Sequence, residues 1–246
     1  EVVEQTLAAT HTDILAERLG PDTIVSGQEV LEVSRGGSLP WRVRTGSIDM
    51  DADLVILATP AYATASIIQG VAADMAGILR QIPYATMTVV CFGYDRERIA
   101  HDLNGFGYLI PKEEGMNTLG TLWDSSIFEN RAPEGQVLLR SMMGGACFPE
   151  YVNLSDEEVM GRVKNDLATI MGITAPPSFV RIFRHHQAIP QYTVGHTTRV
   201  AALEKGAASL PGLFLTGNSY RGIGLNDCVA AANRTAGEAI AQLTLR

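Results

Sequence analysis

Two short, unbroken apolar runs constrain this chain more than any other feature. Leu54-Val55-Ile56-Leu57-Ala58 lies in the first quarter of the sequence, and Leu213-Phe214-Leu215-Thr216 lies near its end. Each is too short for an ordinary helix and is closed by a breaker, Pro60 in one case and Gly217 in the other. A strand without alternation is expected to be buried on both faces, as in a parallel α/β sheet. Between the two runs the texture changes. Residues 87–94, 107–110, 118–123 and 136–143 read as successive strands with Gly-rich joints, which suits a largely antiparallel sheet. The expected fold class is therefore α/β plus α+β. A discontinuous α/β domain of residues 1–60 and 210–246 would be interrupted by an α+β domain of residues 61–209. The 246 residues suit this, since about 150 residues per domain gives roughly one and a half.

Local signals fill in the rest. Leu7, Ile14, Leu15 and Leu19 have helical spacing that stops at Gly20-Pro21. Residues 23–25 and 30–33 are β-type, and Gly36-Gly37 turns the chain into the alternating run 41–44. The Ala-rich stretch 61–79 predicts one helix. Ser155-Asp156-Glu157-Glu158 is a capping box for a helix that runs to about Met171 and ends at Gly172. A strand is expected over 179–183 and a last helix over 226–243.

Composition excludes several classes. Lys and Arg number 19 against 27 Asp and Glu, a net charge of −8, with no basic cluster for a nucleic-acid backbone. No apolar run approaches the roughly 20 residues needed to span a bilayer. Three distant cysteines, Cys91, Cys147 and Cys228, form no CxxC and read as buried reduced thiols of a cytoplasmic protein. The opening Glu1-Val2-Val3-Glu4 has neither the basic nor the apolar region of a signal peptide. Beginning on Glu rather than Met suggests a processed product or a piece of a longer protein.

The segment with most chemical content is Gly217-Asn218-Ser219-Tyr220-Arg221-Gly222-Ile223-Gly224-Leu225-Asn226-Asp227-Cys228, where a strand enters a Gly-rich turn that opens a helix. Glycines let a flat or anionic ligand approach the backbone, and a helix start offers unpaired N–H groups. An ordinary strand–turn–helix joint, with Asn226 or Asp227 as N-cap, accounts for the pattern equally well. No G-x-G-x-x-G, P-loop, HExxH or G-x-S-x-G is present. His185-His186 would point to opposite faces of a strand, so no metal site is expected. Ser141 and Ser219 lack the context of activated nucleophiles, and no catalytic side chain stands out. An apolar, Gly-rich wall with few acids and bases suits a cofactor that brings its own chemistry.

The run Ala188-Ile189-Pro190-Gln191-Tyr192-Thr193-Val194-Gly195-His196, followed by Gly212 to Cys228, resembles the carboxy-terminal part of the FAD-dependent protoporphyrinogen oxidases, within the flavin amine oxidase superfamily. Asp53 to Ala61, Phe106 to Pro111 and Met142-Met143-Gly144-Gly145 match in family order. The resemblance implies FAD as the cofactor, with an incomplete, Rossmann-like FAD-binding domain in residues 1–60 and 210–246 and a substrate-binding domain in residues 61–209. It implies Val30 as backbone partner of the adenine, and Thr59 and Pro60 near the ADP half. Gly217 and Asn218, then Gly222, Gly224, Leu225 and Asn226, would pass beside the pyrophosphate and flavin. Phe106, Gly107, Leu109, Met142 and Ile189 would line a pocket for a tetrapyrrole, protoporphyrinogen IX. Its oxidation to protoporphyrin IX in haem biosynthesis would pass hydride to FAD and then to dioxygen. The family's first βαβ unit, with G-x-G-x-x-G and a ribose-binding acid, has no match here, nor does its propionate-pairing Arg. The expectation is a carboxy-terminal portion that binds FAD weakly and is inactive alone. Peripheral association with the inner face of a membrane and a homodimer stay open. So do two alternatives, another amine-oxidase-like flavoenzyme and a non-catalytic porphyrin- or partner-binding remnant.

Overall fold

The computed structural model describes residues 7–20 and 23–244. In chain order the helices and strands are α1 (Leu7–Leu19), β1 (Val30–Arg35), β2 (Trp41–Thr45), β3 (Asp49–Ala52), β4 (Val55–Leu57), α2 (Ala61–Ile67), α3 (Ala73–Leu79) and β5 (Tyr84–Asp95). There follow β6 (Gly107–Leu109), β7 (Thr118–Leu122), α4 (Asp124–Ile127), β8 (Gln136–Gly145), α5 (Asp156–Met171) and β9 (Phe179–Pro190). The chain closes with α6 (His196–Ala208), β10 (Leu213–Leu215) and α7 (Leu225–Thr244). Residues 1–4, on which the reading of a missing leader rests, and the breaker Pro21 lie outside the described residues. The fold class is mixed α/β with antiparallel sheets. The polypeptide forms two compact units, residues 23–84 with 190–244, and residues 85–189 with 7–20.

In the first unit β4 and β10 pair in parallel, Val55 opposite Leu213 and Leu57 opposite Leu215. Val55, Leu57 and Leu213 bury against Ala61, Ala65 and Ile68 near α2, Met75 and Leu79 of α3, and Val200 and Leu203 of α6. Each large side chain buried there contributes about 1.5–3 kcal/mol. The two apolar runs are not buried on both faces, however. Ile56 is 41% exposed and Phe214 is half-buried. The reason is that the core packs on one face of this strand pair, the Val55/Leu57 side. A cavity of about 500 Å³ runs along β10 between α6 and α7.

The same unit holds the antiparallel meander β1-β2-β3. Its third strand, Asp49-Met50-Asp51-Ala52, was not expected, because two carboxylates make a poor strand signal. Asp51 is satisfied by Ser38 N–H at 2.8 Å, Ser38 Oγ at 2.7 Å and Arg42 Nε at 3.0 Å. Residues 23–25 are not a strand, and Ile24 and Val25 are exposed. The single helix expected over 61–79 is two, α2 and α3, parted around Gly70.

The second unit is built on a sheet in the order β6-β7-β8-β5-β9, antiparallel at β6/β7, β7/β8 and β8/β5. Val159, Val163 and Leu167 of α5 pack on one face, against Val90, Phe92, Leu139 and Met143. The helix starts at the expected capping box, with Glu158 N–H donating to Ser155 Oγ and Ser155 N–H to Glu158 Oε2. It ends where Gly172 turns left-handed at φ 67°. Buried Asp166 of α5 accepts from Asn117 N–H (2.9 Å), Asn117 Nδ2 (3.1 Å) and Thr118 N–H (2.7 Å), fixing the start of β7. Strand β9 runs to Pro190, beyond the expected 183.

Ile14, Leu15 and Leu19 of α1 are exposed. All three cysteines are free, but only Cys91 is buried, Cys147 being exposed and Cys228 half-buried, which corrects the expectation of three buried thiols. No helix among the described residues is long and apolar enough to cross a membrane.

Candidate functional site

The turn that follows β10 is tied to the turn that follows β4. Ser219, 1% exposed, shares a 2.6 Å hydrogen bond with the Tyr84 hydroxyl, and Ala61 N–H donates to both oxygens, at 3.2 and 2.9 Å. Ala61 is the first residue of α2, directly after Thr59-Pro60, and Thr59 Oγ1 lies 2.8 Å from Thr64 Oγ1. Thr59, Pro60, Gly217 and Asn218 are thereby brought together. Ser219 is a structural bridge, with its oxygen committed and shielded from solvent.

The outer half of the turn carries Gly222, Gly224, Leu225 and Asn226. Gly222 has φ +79°, and a side-chain carbon there would run into Cβ of Asp227, so only glycine fits. Ile223, Leu225 and Val229 are 43%, 59% and 53% exposed, an apolar rim around the start of the 20-residue helix α7. The first N–H groups of a helix have no partner within it and carry partial positive charge. A flat ligand that gains electron density suits such a place.

Sequence reasoning overlooked Tyr192 and His196. Tyr192 Oη donates to the Asn218 carbonyl at 2.7 Å, and His196 Nε2 lies 2.9 Å from the Tyr220 carbonyl. A carbonyl only accepts, so Nε2 carries the proton. Burial, then the charges of Cys228 and Asp227, push the Tyr192 hydroxyl up, which keeps it a donor. The signal was the stretch Ala188 to His196, read only for Ile189. Val30 is held elsewhere in the unit, half-buried on edge strand β1 opposite Thr45.

The tetrapyrrole-pocket candidates lie in the other unit. Register places Leu109, Gly120, Met142 and Val89 in one row across β6, β7, β8 and β5. The next row is Gly107, Leu122, Arg140 and Cys91. By alternation both rows face away from the side on which α5 packs. Leu109 is 77% and Phe106 73% exposed, while Met142 and Ile189 are half-buried. Gly107 also has a local reason, because a side-chain carbon would collide with the Thr121 carbonyl across the sheet. Leu122 and Val89 were missed because they lie on neighbouring strands, and only cross-strand register sets them beside Leu109 and Met142.

The one charged pair in these rows is Arg140 with buried Asp124, at 2.9 Å through both Nε and Nη2. Burial, then the Asp124 charge, push the Cys91 thiol up to about 11, so it is no nucleophile near neutral pH. His185 and His186 are exposed on β9, and no cluster of three His, Cys, Asp or Glu among the described residues could hold a metal ion. Apart from the Arg140–Asp124 pair, the two rows present apolar side chains and glycines, with Leu109 the most exposed of them.

The family model for flavin containing amine oxidoreductase matches residues 3–240. Coproporphyrinogen III oxidase of Bacillus subtilis (strain 168) is 28% identical over 237 residues, covering 95% of this chain and 50% of the relative. The chloroplastic protoporphyrinogen oxidase of Oryza sativa subsp. japonica is 31% identical over 221 residues, covering 86% of this chain and 41% of the relative. The chain thus spans about half the length of the curated relatives it matches. Cyclohexylamine oxidase from Brevibacterium oxydans IH-35A shares the fold, with a TM-score of 0.74 at 14% identity over 96% of this chain and 53% of that one.

Proposed function

Because this chain belongs to the flavin-containing amine oxidoreductase family, whose membership implies FAD as cofactor, we propose that it forms part of a porphyrinogen oxidase. In this reading the Gly217–Asn226 turn receives the flavin and the open face of the five-stranded sheet receives the tetrapyrrole. The observation that carries it is the row Leu109, Gly120, Met142 and Val89, an apolar surface with no acid or base among its members. A porphyrinogen is a large, mainly apolar macrocycle, and its oxidation needs an electron acceptor more than a positioned acid or base. FAD, when bound, supplies that acceptor.

The residues at the turn fit a flavin. A side-chain carbon at Gly217 would meet only the Ala58 peptide, at 3.6 Å, so the backbone is open to close approach. Exposed Ile223 and Leu225 offer contact to a ring, and the first N–H groups of α7 favour negative charge on its edge. Thr59 and Pro60 would flank the ADP half, and the Val30 backbone on its edge strand would meet the adenine. Phe106, Gly107, Leu109, Met142 and Ile189 would exclude water and orient the tetrapyrrole. The phosphate-binding G-x-G-x-x-G is absent from the 246 residues, so FAD is bound weakly by this chain alone.

A titration of the chain with protoporphyrin IX, coproporphyrin III and cyclohexylamine tests the reading. Saturable binding of a porphyrin, weakened about tenfold or more by Leu109→Asp, supports it, since burying a carboxylate against an apolar ligand costs at least ~1.4 kcal/mol. Binding of the amine with neither porphyrin would transfer the assignment to an amine oxidase, the activity named for the fold neighbour.

A further inference from the structure

One hydroxyl and one imidazole hold the glycine turn from the side of α6. We propose that Tyr192 and His196 are positioning residues that set the shape of turn 218–222 before any ligand arrives, so that the flavin meets a preformed surface. This rests on the flavin reading of the turn given above. Tyr192 Oη donates to the Asn218 carbonyl at 2.7 Å, so the hydroxyl grips the start of the turn. His196 lies four residues on, its ring stacked on Tyr192 with centroids 3.9 Å apart and planes 11° apart. Its Nε2–H reaches the Tyr220 carbonyl at 2.9 Å, and its buried Nδ1 has no partner.

The consequence follows from peptide geometry. In a trans peptide the carbonyl and the next N–H point opposite ways. Fixing the Asn218 and Tyr220 carbonyls therefore also fixes the N–H groups of Ser219 and Arg221 on the other side. Three glycines, Gly217, Gly222 and Gly224, would otherwise leave this backbone free to sample many conformations. The clamp itself is rigidly mounted. His196 opens α6, whose Val200 and Leu203 sit in the unit's core, and Gly195 at φ +87° turns Tyr192 back over the helix start. A site held by packed elements is more sharply defined than one left to its loop.

Hydrogen exchange of the full 246-residue chain without flavin, read in peptides covering 217–228, tests the clamp. Tyr192→Phe and His196→Leu are expected to speed exchange there about tenfold, the effect of losing roughly one hydrogen bond. Peptides covering residues 86–95 of β5 and all of β8, in the other unit, should not change. His196→Gln keeps an N–H within reach of the Tyr220 carbonyl and should stay within about threefold of wild type. FAD titration of the same proteins should show affinity falling about tenfold in the first two and recovering in the third. Wild-type exchange in Tyr192→Phe, or His196→Gln as fast as His196→Leu, would overturn the proposal. Should His196→Leu fail to fold, Tyr192→Phe and His196→Gln decide alone. Loss of protection with no flavin bound by wild type would instead count against the flavin reading.

Discussion

Replacing Gly222 by alanine should damage the turn in two separable ways. The backbone there sits at φ +79°, and an L-residue in the left-handed region costs about 1–2 kcal/mol. The new methyl would also run into Cβ of Asp227, which is fixed in the first turn of α7 and cannot rotate away. Relieving that overlap means shifting backbone, a further penalty of about 1–3 kcal/mol. The expected loss is therefore about 2–5 kcal/mol from the unit that contains the turn. Urea unfolding followed by fluorescence of buried Trp41 reads this unit, once Trp123 of the other unit is replaced by Phe. Adding Asp227→Gly to Gly222→Ala should recover the overlap part and leave the backbone part. An alanine variant within about 0.5 kcal/mol of wild type, or no recovery in the double variant, would refute the reasoning about this turn.

Three further outcomes follow from groups outside it. Asp166→Ala leaves the Asn117 and Thr118 N–H groups without their acceptor, and should cost the five-stranded unit about 2–5 kcal/mol, read by Trp123 fluorescence. Asp51 is held down from the ordinary 3.8 to about 2, first by the Ser38 N–H, then by the Ser38 hydroxyl and Arg42. Its folded value lies below its unfolded one, so its contribution is full above about pH 4 and lost as pH falls towards 2. Asp51→Asn should flatten that part of the acid limb of the stability profile. Iodoacetamide at pH 8 should alkylate exposed Cys147 and spare Cys91, whose thiol burial holds at about 11, as peptide mass spectrometry would report.

Much of the scaffold was legible because its signals are local. The capping box at Ser155 and the stop at Gly172 are written within one helix, and the strand β8 declares itself by composition. The errors have physical causes as well. Strand β3 is acidic and is held by its pairing with β2 and by the Ser38–Asp51–Arg42 contacts, which no propensity encodes. Helix α6 escaped because it starts at Gly195 with no side-chain cap, and its stability comes from Val200 and Leu203 in the core. The unbroken apolar run of β4 predicts burial on both faces, yet Ile56 is exposed because burial depends on how many layers surround a strand. The site divides the same way. The glycine turn is visible as a motif, while the grip of Tyr192 on Asn218, 26 residues away, emerges only in three dimensions.

The most direct test of the account is a titration of the 246-residue chain with FAD, mapped by hydrogen exchange. Weak, saturable binding is expected, with new protection over residues 217–228 that extends to 58–61 through the Ser219–Tyr84–Ala61 bridge. Stoichiometric flavin retained on purification would contradict the expected weakness, and protection that falls elsewhere, or nowhere, would contradict the assignment of the turn.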